Sequence, residues 1–451
     1  MSKANVGSIV VSDDMGAPIG IVTDRDLRHR VIAAPLPPET AVHDVMSSPL
    51  CVIEDGRLAI EALIEMTRRG IHHLGVVESD RGRLLGMISS HDLLGLQAAH
   101  PVALAREIER AATLDALAGA ASRLIDVVRG LARGGAGAIE IGQVVSELND
   151  RVVRGSLALV VTELGREAPP PGPYSWVVAG SEGRREQTMK TDQDNGLVYA
   201  DPSPADAPAY HAYFRRLGLT MAEALSRLGF PPCAGGFMAS NPRWCGPLAQ
   251  WRAEIESWMA APQPERLVAA SVFCDMRTVA GDVEPGRGLG ALIRERAPAS
   301  PLFLRFMARD ALARAPALDL LGRLAVQRRG AHRGMLDLKG SALLPITQAA
   351  RVYALSLGTA ETNTLDRLQV AETRGALPPA ESRDLRDAYA VLSRLRLQAQ
   401  LDALAAGRAP DNWIDPGMLP RTDRVLMKEA LKAVAWLQRL MEDRFQTNLV
   451  S

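Results

Sequence analysis

The sequence predicts an α+β protein of several domains. A strand–strand–helix segment occurs twice near the start, and a Gly-Ser turn and an Asp-x-Asp triplet lie between two apolar runs near the middle. Apolar side chains then recur at helical spacing towards the end. We therefore expect a repeat region over 1–98, a helical connector over 99–168, an α/β domain over 169–299 and an all-α domain over 300–451.

The composition is that of an ordinary globular protein. The 451 residues are 47% hydrophobic, and 52 basic residues balance 52 acidic ones, so no global field favours a nucleic-acid partner. No signal-peptide pattern and no apolar run near the roughly 18 residues of a membrane span are found, which predicts a cytoplasmic protein without a membrane partner. The cysteines lack CxxC spacing and predict reduced thiols rather than a zinc site. They are Cys51, Cys233, Cys245 and Cys274.

The repeat at the start of the chain has no gap. Residues 20–27 (GIVTDRDL) return at 86–93 (GMISSHDL), and the apolar runs at 9–11 and 75–77 precede them in the same register. A further strand and helix over 42–69 precede only the second copy. The pattern resembles a pair of CBS modules, β-α-β-β-α units that associate in twos. Either the first module is truncated, or an upstream start would add about 25 residues and complete it.

The CBS resemblance implies a site for an adenosine nucleotide in each module. A Ser/Thr-x-x-Asp element places its hydroxyl near phosphate and its carboxylate on ribose hydroxyls, and here these residues are Thr23 with Asp26 and Ser89 with Asp92. The same aspartates can instead cap the last helix of each module. We expect the second, intact copy to be the better site. A homodimer through the CBS modules is a further expectation.

The segment 176–200 (WVVAGSEGRREQTMKTDQDNGLVYA) carries the chemistry. Its apolar ends predict two strands, and side chains two apart in an extended chain point to the same face, so Asp192 and Asp194 lie together beside the Gly180-Ser181 turn. Paired carboxylates suit Mg²⁺. The backbone N–H groups of a Gly-Ser turn suit phosphates. The segment therefore predicts metal-assisted phosphoryl or nucleotidyl transfer.

This pattern resembles the signature of the DNA polymerase β-like nucleotidyltransferase superfamily. Its fuller form is similar to the PII-protein uridylyltransferases and, more closely, to the CBS-linked nucleotidyltransferases of the DUF294 family. A polar hairpin whose acids merely cap a strand is the alternative. Eight positions carry the match: Gly180, Ser181, Gly183, Arg184, Glu186, Thr191, Asp192 and Asp194.

The resemblance implies an NTP substrate, Mg²⁺ as cofactor and a role for each matched residue. Asp192 and Asp194 would be catalytic and would bind the metal. Glu186 would orient an arginine, with Thr191 in support. The acceptor is not implied, although the uridylyltransferase likeness suggests a regulatory protein of the PII kind. The phosphate-binding residues would be Gly180, Ser181, Gly183 and Arg184.

The third metal ligand of the uridylyltransferases is missing at its expected place. Residues 231–242 resemble the family segment that brings a third strand under the site, and its opening position is Cys233 instead of an aspartate. A thiol is a poor Mg²⁺ ligand. The nearest later candidate is Asp275, in the strand-like stretch 271–277.

Asp275 has a second interpretation, as a structural partner of Arg277 or Arg243, and we favour it. Farther along, segments similar to the C-terminal helical domain of the same family place Lys339 and Arg351 as phosphate contacts or as solvated surface charges.

The connector is predicted to be helical because its apolar residues fall at three- and four-residue steps. Thr113 is the expected cap of one helix, Gly134-Gly135 its end, and Gly165 the end of the next. These helices either couple a sensor to the catalytic domain or simply pack onto that domain.

Taken together, these features predict a Mg²⁺-dependent nucleotidyltransferase regulated by an adenosine nucleotide at the CBS pair. The first rival is a non-catalytic nucleotide sensor with a degenerate transferase domain, which Cys233 supports and the Asp192–Asp194 pair opposes. The second rival is a structural partner-binding protein with no nucleotide at either site.

Overall fold

The computed structural model divides the chain into two compact units, Met1–Arg106 and Glu107–Ser451. Among its described residues, no helix is both long enough and apolar enough to cross a membrane. The described residues are 1, 6–34, 36–37, 39–80, 82–94, 101–165, 172–189, 192–313, 317–318 and 322–449.

The first unit contains the predicted repeat. Its elements are β1 (Ser8–Ser12), β2 (Pro18–Thr23), α1 (Asp24–Asp26), a π-helical turn (Leu27–Ile32), α2 (Val42–Val45), β3 (Val52–Glu54), α3 (Ala59–Arg69), β4 (His73–Val77), β5 (Leu84–Ser89) and α4 (Ser90–Leu94). The antiparallel pairs β1–β2 and β4–β5 are the two copies, and β3 joins β4 in parallel. Only the second copy has the preceding strand β3 and helix α3, as the sequence predicted.

Four helices span residues 101–165. They are α5 (Pro101–Arg110), α6 (Leu114–Ser122), α7 (Leu124–Arg133) and α8 (Ala138–Leu164). Thr113 caps α6 by accepting a hydrogen bond from the N–H of Ala116. The single helix predicted after Thr113 is broken at Arg123 into α6 and α7, whereas Gly165 follows α8 as expected.

Helix α8 packs into the second unit. Its Asn149 donates a hydrogen bond to Gln187 at 2.8 Å, and its Asp150 forms a bidentate pair with Arg277 at 2.6 and 2.7 Å. Both partners belong to the α/β part of the chain. These contacts favour the interpretation that α8 is part of the transferase packing.

A four-stranded sheet forms the centre of the α/β part. Its elements are β6 (Tyr174–Val178), α9 (Gly180–Gly183), β7 (Asn195–Tyr199), α10 (Ala207–Arg227), β8 (Cys245–Pro247), α11 (Leu248–Ala260), α12 (Pro264–Phe273), β9 (Arg277–Gly281) and α13 (Val283–Arg296). The strand order is β8-β7-β6-β9, with β6 antiparallel to both β7 and β9 and β8 parallel to β7.

One strand prediction in this region is wrong, and another strand begins just after its matched segment. Residues 231–241 form turns and irregular structure, since Pro231 and Pro232 have no N–H to donate to a strand ladder, and the third strand, β8, follows at Cys245. The stretch 271–277 is the end of α12 followed by a turn, and β9 begins only at Arg277. The apolar residues of α12 continue a helical stripe to Phe273, which a short window does not distinguish from a strand.

The described C-terminal residues are mainly helical, as predicted, but residues 322–335 and 406–412 form turns, bends and irregular structure, and one short strand pair is present. Its elements are α14 (Pro301–Leu312), β10 (Leu336–Asp337), a π-helical turn (Lys339–Leu343), α15 (Leu344–Leu357), α16 (Thr364–Thr373), α17 (Pro379–Ala405), β11 (Trp413–Ile414) and α18 (Arg421–Phe445). One hydrophobic core runs from Val177 and Val198 of the sheet through Trp251 to Tyr353 and Leu437 of the helices. The sheet and the helices therefore share buried apolar surface, which resists their separation.

Candidate active site

The turn after β6 needs glycine at two positions. Gly180 has φ +54°, and a Cβ there would lie 2.5 Å from Oδ2 of Asp194. A Cβ on Gly183 would collide with the carbonyl oxygen of Asp275. Only glycine avoids both a strained φ and these collisions. The turn consequently sits against Asp194 on one side and the backbone of Asp275 on the other.

The Asp-x-Asp triplet lies at the start of β7 with its two carboxylates on the opposite side from Gln193. The Gln193 amide is buried and donates to the carbonyl oxygens of Ala222 and Phe230 at 3.2 and 2.9 Å. Asp192 is exposed and Asp194 is half-buried. The middle residue therefore anchors the triplet in the core while the two acids face away from it.

Backbone contacts hold the 231–239 turn against this triplet. The N–H of Gln193 donates to the carbonyl of Pro231 at 2.9 Å, and the N–H of Asn195 donates to the carbonyl of Phe237 at 2.9 Å. The Asn195 side chain accepts from the N–H of Ala239, also at 2.9 Å. Three hydrogen bonds thus fix the turn that contains Cys233.

The result is a cluster of three ligand atoms. One carboxylate oxygen each from Asp192 and Asp194 and the Sγ of Cys233 lie within 4.8 Å of one another. Burial raises the pKa of Asp194 to about 6, and the neighbouring Asp192 adds to the rise. The Cys233 thiol, whose pKa burial raises, donates a hydrogen bond to Asp194. The two carboxylates fit Mg²⁺, whereas the thiol does not.

Asp275 is not a metal ligand, which corrects that alternative. Its fully buried carboxylate is bound by three arginines: Nη1 of Arg184 at 2.6 Å, Nε and Nη2 of Arg351 at 2.9 and 2.6 Å, and Nη1 of Arg367 at 2.6 Å. Burial alone would raise the pKa of Asp275, but the three cations outweigh it and hold the pKa far below its usual range. Both oxygens are occupied, so none is available to a cation.

The partners of Asp275 also differ from those predicted. Arg277 pairs with Asp150 instead, and Arg243 binds Glu254 at 2.6 Å. Arg351 is buried against Asp275, so it is neither a solvated surface charge nor open to a phosphate. That phosphate assignment is corrected.

Arg184 fixes the turn and also lines the cavity between the turn and the helices. Besides Asp275, its Nε donates to Glu186 at 2.7 Å, as expected for a glutamate that orients an arginine. Burial alone would lower the pKa of Arg184, but the carboxylates of Glu186 and Asp275 raise it. Its charge is compensated from both sides. These contacts give Arg184 a structural role, and its contact with phosphate stays a prediction. Thr191, also predicted here, lies outside the described residues.

The start of α16 docks onto the same turn. Thr362 donates to the carbonyl of Gly183 and Asn363 to that of Arg184, both at 3.0 Å. The N–H of Thr364 donates to Glu186 at 2.6 Å. The helical part of the chain thus supports the signature segment directly.

Glu182, the residue after Ser181, is a second buried carboxylate. Among the described residues, no arginine binds its side chain as three arginines bind Asp275. Burial raises its pKa to about 8, and Asp150 adds to the rise. Its Oε1 has no hydrogen-bond partner among the described residues. Arg277 lies nearby, but both terminal nitrogens of its guanidinium, Nη1 and Nη2, donate to the carboxylate of Asp150.

A cavity of about 230 Å³ opens between the turn and the helices. Ser181 and Asp192 line it from the sheet side, and Lys339, Arg396 and Gln400 line it from the helical side. Burial lowers the pKa of Lys339, and Arg396 adds to the effect, while Asp192 opposes it. Oε1 of Gln400 is buried without a partner in the described part of the chain.

Sequence reasoning missed Arg396 and Gln400. They lie four residues apart in α17, on one helical face, so a charged and an amide side chain interrupt a stripe that includes Leu392 and Leu395. That interruption was the signal available in the sequence.

The CBS residues both form helix caps, which is the second interpretation given above. Oγ1 of Thr23 donates to Asp26 at 2.6 Å, and Oγ of Ser89 donates to Asp92 at 2.6 Å. A cavity of about 620 Å³ lies between the two copies, with Thr23 and Asp26 of the first copy and Leu50 and His73 of the second among its lining residues. Ser89 and Asp92 are not among its described lining residues. The preference for the second copy as the nucleotide site stays a prediction.

Three protein-family models match this chain. The one described as "Putative nucleotidyltransferase DUF294" matches residues 122–265, and the one described as "Putative nucleotidyltransferase substrate binding domain" matches 301–445. The CBS domain model matches 1–33 and 42–99. The chain belongs to the CBS-linked DUF294 family. The recognition made from the signature positions is confirmed, as is the multidomain α+β fold.

Other similarities cover only part of the chain. An uncharacterized protein of Methanopyrus kandleri is 34% identical over 98 residues, 22% of this chain and 50% of that protein. The chain thus spans half the length of that relative. A solved "putative signal-transduction protein with CBS domains" from Burkholderia ambifaria is 31% identical over 21% of this chain and 67% of its own, with a TM-score of 0.19. A CBS domain protein from Pyrobaculum aerophilum, solved with AMP, is 28% identical over 23% and 79%, with a TM-score of 0.20.

Proposed function

We propose that this DUF294 member is a metal-dependent nucleotidyltransferase that moves a nucleotidyl group from an NTP to an acceptor hydroxyl. The observation that carries the proposal is the pair of carboxylates, Asp192 and Asp194, held on one face beside the glycine turn and the Ser181 hydroxyl. Nearby, Lys339 lines the same cavity from the helical side. Two acids, a hydroxyl and a cation are the groups that bind a metal–triphosphate complex.

In this mechanism the residues of the chain position the triphosphate. Asp192 and Asp194 would hold a divalent cation, and two carboxylates suit Mg²⁺. Such an ion supplies charge neutralisation on the phosphate oxygens. The Ser181 hydroxyl donates a hydrogen bond to the phosphates, and Lys339 places a positive charge against them. The acceptor oxygen bonds to the α-phosphorus, the bond to the pyrophosphate oxygen breaks, and the hydroxyl proton is released to solvent.

The acceptor enters, on this proposal, between the turn and the C-terminal helices. Those helices match the model described as a substrate binding domain. A PII-type regulatory protein is the acceptor class that the uridylyltransferase likeness implies.

Regulation is part of the proposal. The cavity between the two CBS copies has Thr23 and Asp26 on its wall, a hydroxyl and a carboxylate that can bind phosphate and ribose, and we propose that an adenosine nucleotide binds there. To change the rate of transfer, the adenosine nucleotide would have to bind two states of the enzyme with different affinities.

The nucleotide sensor without catalysis is the second candidate, and Cys233 favours it, because a thiol replaces a hard metal ligand. One experiment separates the two. The chain is incubated with NTPs labelled at the α-phosphate, divalent metal and an extract of its source cells, and labelled acceptors are sought, while thermal shifts with each NTP report binding. A label dependent on Asp192 and Asp194 supports transfer. A thermal shift without label indicates the sensor, and the absence of both contradicts either function.

A further inference from the structure

The donor set beside the turn is chemically mixed. Cys233 Sγ and one oxygen each of Asp192 and Asp194 lie within 4.8 Å of one another. A catalytic zinc site has three protein ligands and one open position, with Zn–S near 2.3 Å and Zn–O about 2.0–2.2 Å. Those bond lengths put the ligand atoms of a tetrahedral ion about 3.5 Å apart. The three donors need to move by only about 1 Å to close around an ion.

The thiol is held in this position. The hydrogen bonds from Gln193 and Asn195 fix the turn around Cys233, and the N–H of Cys233 donates to Sδ of Met238 at 3.3 Å. A cysteine so fixed faces whatever ion the two acids bind. Mg²⁺ takes oxygen ligands in octahedral geometry, whereas thiolates favour softer ions, and affinity for a mixed site rises from Mn²⁺ towards Zn²⁺.

We propose that the acid–thiol cluster selects a thiophilic divalent cation of the Zn²⁺ class over Mg²⁺, with Asp192, Asp194 and Cys233 as its protein ligands. The thiol proton leaves to solvent as the Cys233 sulfur binds the ion. The fourth position is open to a nucleotide phosphate. The inference rests on the proposed transfer function for its biological meaning, but the preference for one metal over another is measured by binding, without an activity assay.

The test uses Co²⁺, which binds this class of site and gives a near-ultraviolet absorption band when a thiolate coordinates it. We expect full-length protein titrated with Co²⁺ to show the band, and Cys51→Ser, a control thiol far along the sequence, to retain it. Cys233→Ser should lose it. One equivalent of Zn²⁺ should remove the band, and a large excess of Mg²⁺ should not. Cys233→Asp should lower the affinity for Zn²⁺ by at least about 10–100-fold and favour Mg²⁺.

Two results would overturn the inference: Co²⁺ binding to the native chain without the band, or displacement of Co²⁺ by equimolar Mg²⁺. Thermal melts of Cys233→Ser and Cys233→Asp verify that both fold. If both unfold, protection of the Cys233 thiol from alkylation by Zn²⁺ but not by Mg²⁺ in the native chain decides the question. A band without nucleotidyl transfer contradicts only the proposed function. Transfer with Mg²⁺ and no band contradicts only this inference.

Discussion

Two groups of carboxylates lie on opposite sides of the same turn, and their surroundings differ completely. Asp275 is fully buried and both of its oxygens are bound by arginines, whereas Asp192 and Asp194 face each other with a thiol as third neighbour. Burial is offset by cations at Asp275, which holds its pKa far below normal. At Asp194 burial and Asp192 raise the pKa to about 6. A carboxylate with both oxygens bound by arginines is structural here, whereas the Asp192–Asp194 pair, on which Lys339 and Arg184 act only through their charge at Asp194, is the group that can take a cation.

The largest effect should come from the Asp192–Asp194 pair. We expect Asp192→Asn with Asp194→Asn to reduce nucleotidyl transfer by about a thousandfold or more, roughly 4 kcal/mol, because the metal supplies several kcal/mol of charge stabilisation. The unfolding free energy should not fall, since removing two facing charges relieves repulsion. Transfer kinetics and thermal melts measure both.

The control for that variant carries Glu442→Gln and Asp443→Asn, two exposed acids of α18. It removes the same charge and should transfer at the native rate. Unchanged turnover in the Asp192 and Asp194 variant would exclude these residues as the metal site.

For Asp275, which three arginines bind, we expect an effect on stability. Asp275→Ala leaves three buried arginines without their carboxylate, and we expect a loss of about 3–5 kcal/mol in unfolding free energy. Because the folded pKa of Asp275 is lowered, its contribution is present above the ordinary carboxyl pKa and disappears only as the pH falls far below it. Urea unfolding at pH 7 and in acid measures this dependence.

A matched control is Asp115→Ala, which breaks the exposed ion pair with Arg227 and should cost at most about 1 kcal/mol. Equal losses in the two variants would mean that the arginine cluster stabilises the fold no more than a surface pair does.

The sequence predicted the Asp192–Asp194 pair better than the arginine-bound Asp275. The two-residue period of an extended chain is enough to put Asp192 and Asp194 on one face. The Gly-Ser turn precedes them within the same short segment, so the site can be predicted from nearby residues alone. Cys233 was matched by position to the third ligand, and the structure brings it to the pair.

Asp275 was harder because its partners are 76–92 positions away in the chain. No periodicity encodes which distant arginine meets which acid. The arginines at 351 and 367 lie on buried faces of amphipathic helices, where a charge requires a partner, but that pattern does not identify the partner. The same limit explains the wrong assignment to Arg277 and Arg243.

Glu182 provides an intermediate case, a buried acid with no arginine of its own. Its folded pKa of about 8 lies above the unfolded value of 4.5, so the fold keeps a proton that the unfolded chain loses, and stability falls as the pH rises between those values. We expect the native chain to lose about 1.5–2 kcal/mol between pH 6.5 and 8 through this group. Glu182→Gln, which mimics the protonated form, should lose less.

Urea unfolding across that pH range is the measurement, with Glu163→Gln on the exposed side of α8 as control. Parallel curves for all three proteins would show that Glu182 is ionised in the fold and that a cation compensates it.

Lys339 tests whether the cation opposite the acid pair belongs to the site. We expect Lys339→Gln to raise the KM for the NTP about tenfold, roughly 1.4 kcal/mol, because one charge-assisted contact to phosphate is lost. Lys428→Gln, on the exposed surface of α18, should leave KM unchanged. Steady-state kinetics at several NTP concentrations measure both constants. An unchanged KM in Lys339→Gln would make that lysine a solvated charge.

The smallest effect concerns Asp26, a carboxylate compensated by hydrogen bonds instead of arginines. Burial alone would raise its pKa, but the hydrogen bonds from Thr23 and Ser47 lower it, with a contribution from Arg30. An adenosine nucleotide must displace those weaker partners, so the energetic gain is modest. We expect Asp26→Asn to weaken binding of AMP, ADP or ATP by about fivefold, near 1 kcal/mol, the lower end of typical coupling energies.

Calorimetry on the full chain measures that affinity, and Asp92→Asn is the matched variant, with the same hydroxyl contact but no place on the cavity wall. Binding lost in Asp92→Asn and retained in Asp26→Asn would return the site to the second copy. No heat from any nucleotide up to millimolar concentration would leave the CBS region as a contact module. A fivefold loss confined to Asp26→Asn would mean that a hydrogen-bonded carboxylate can still exchange its partners for a ligand, as the arginine-bound Asp275 cannot.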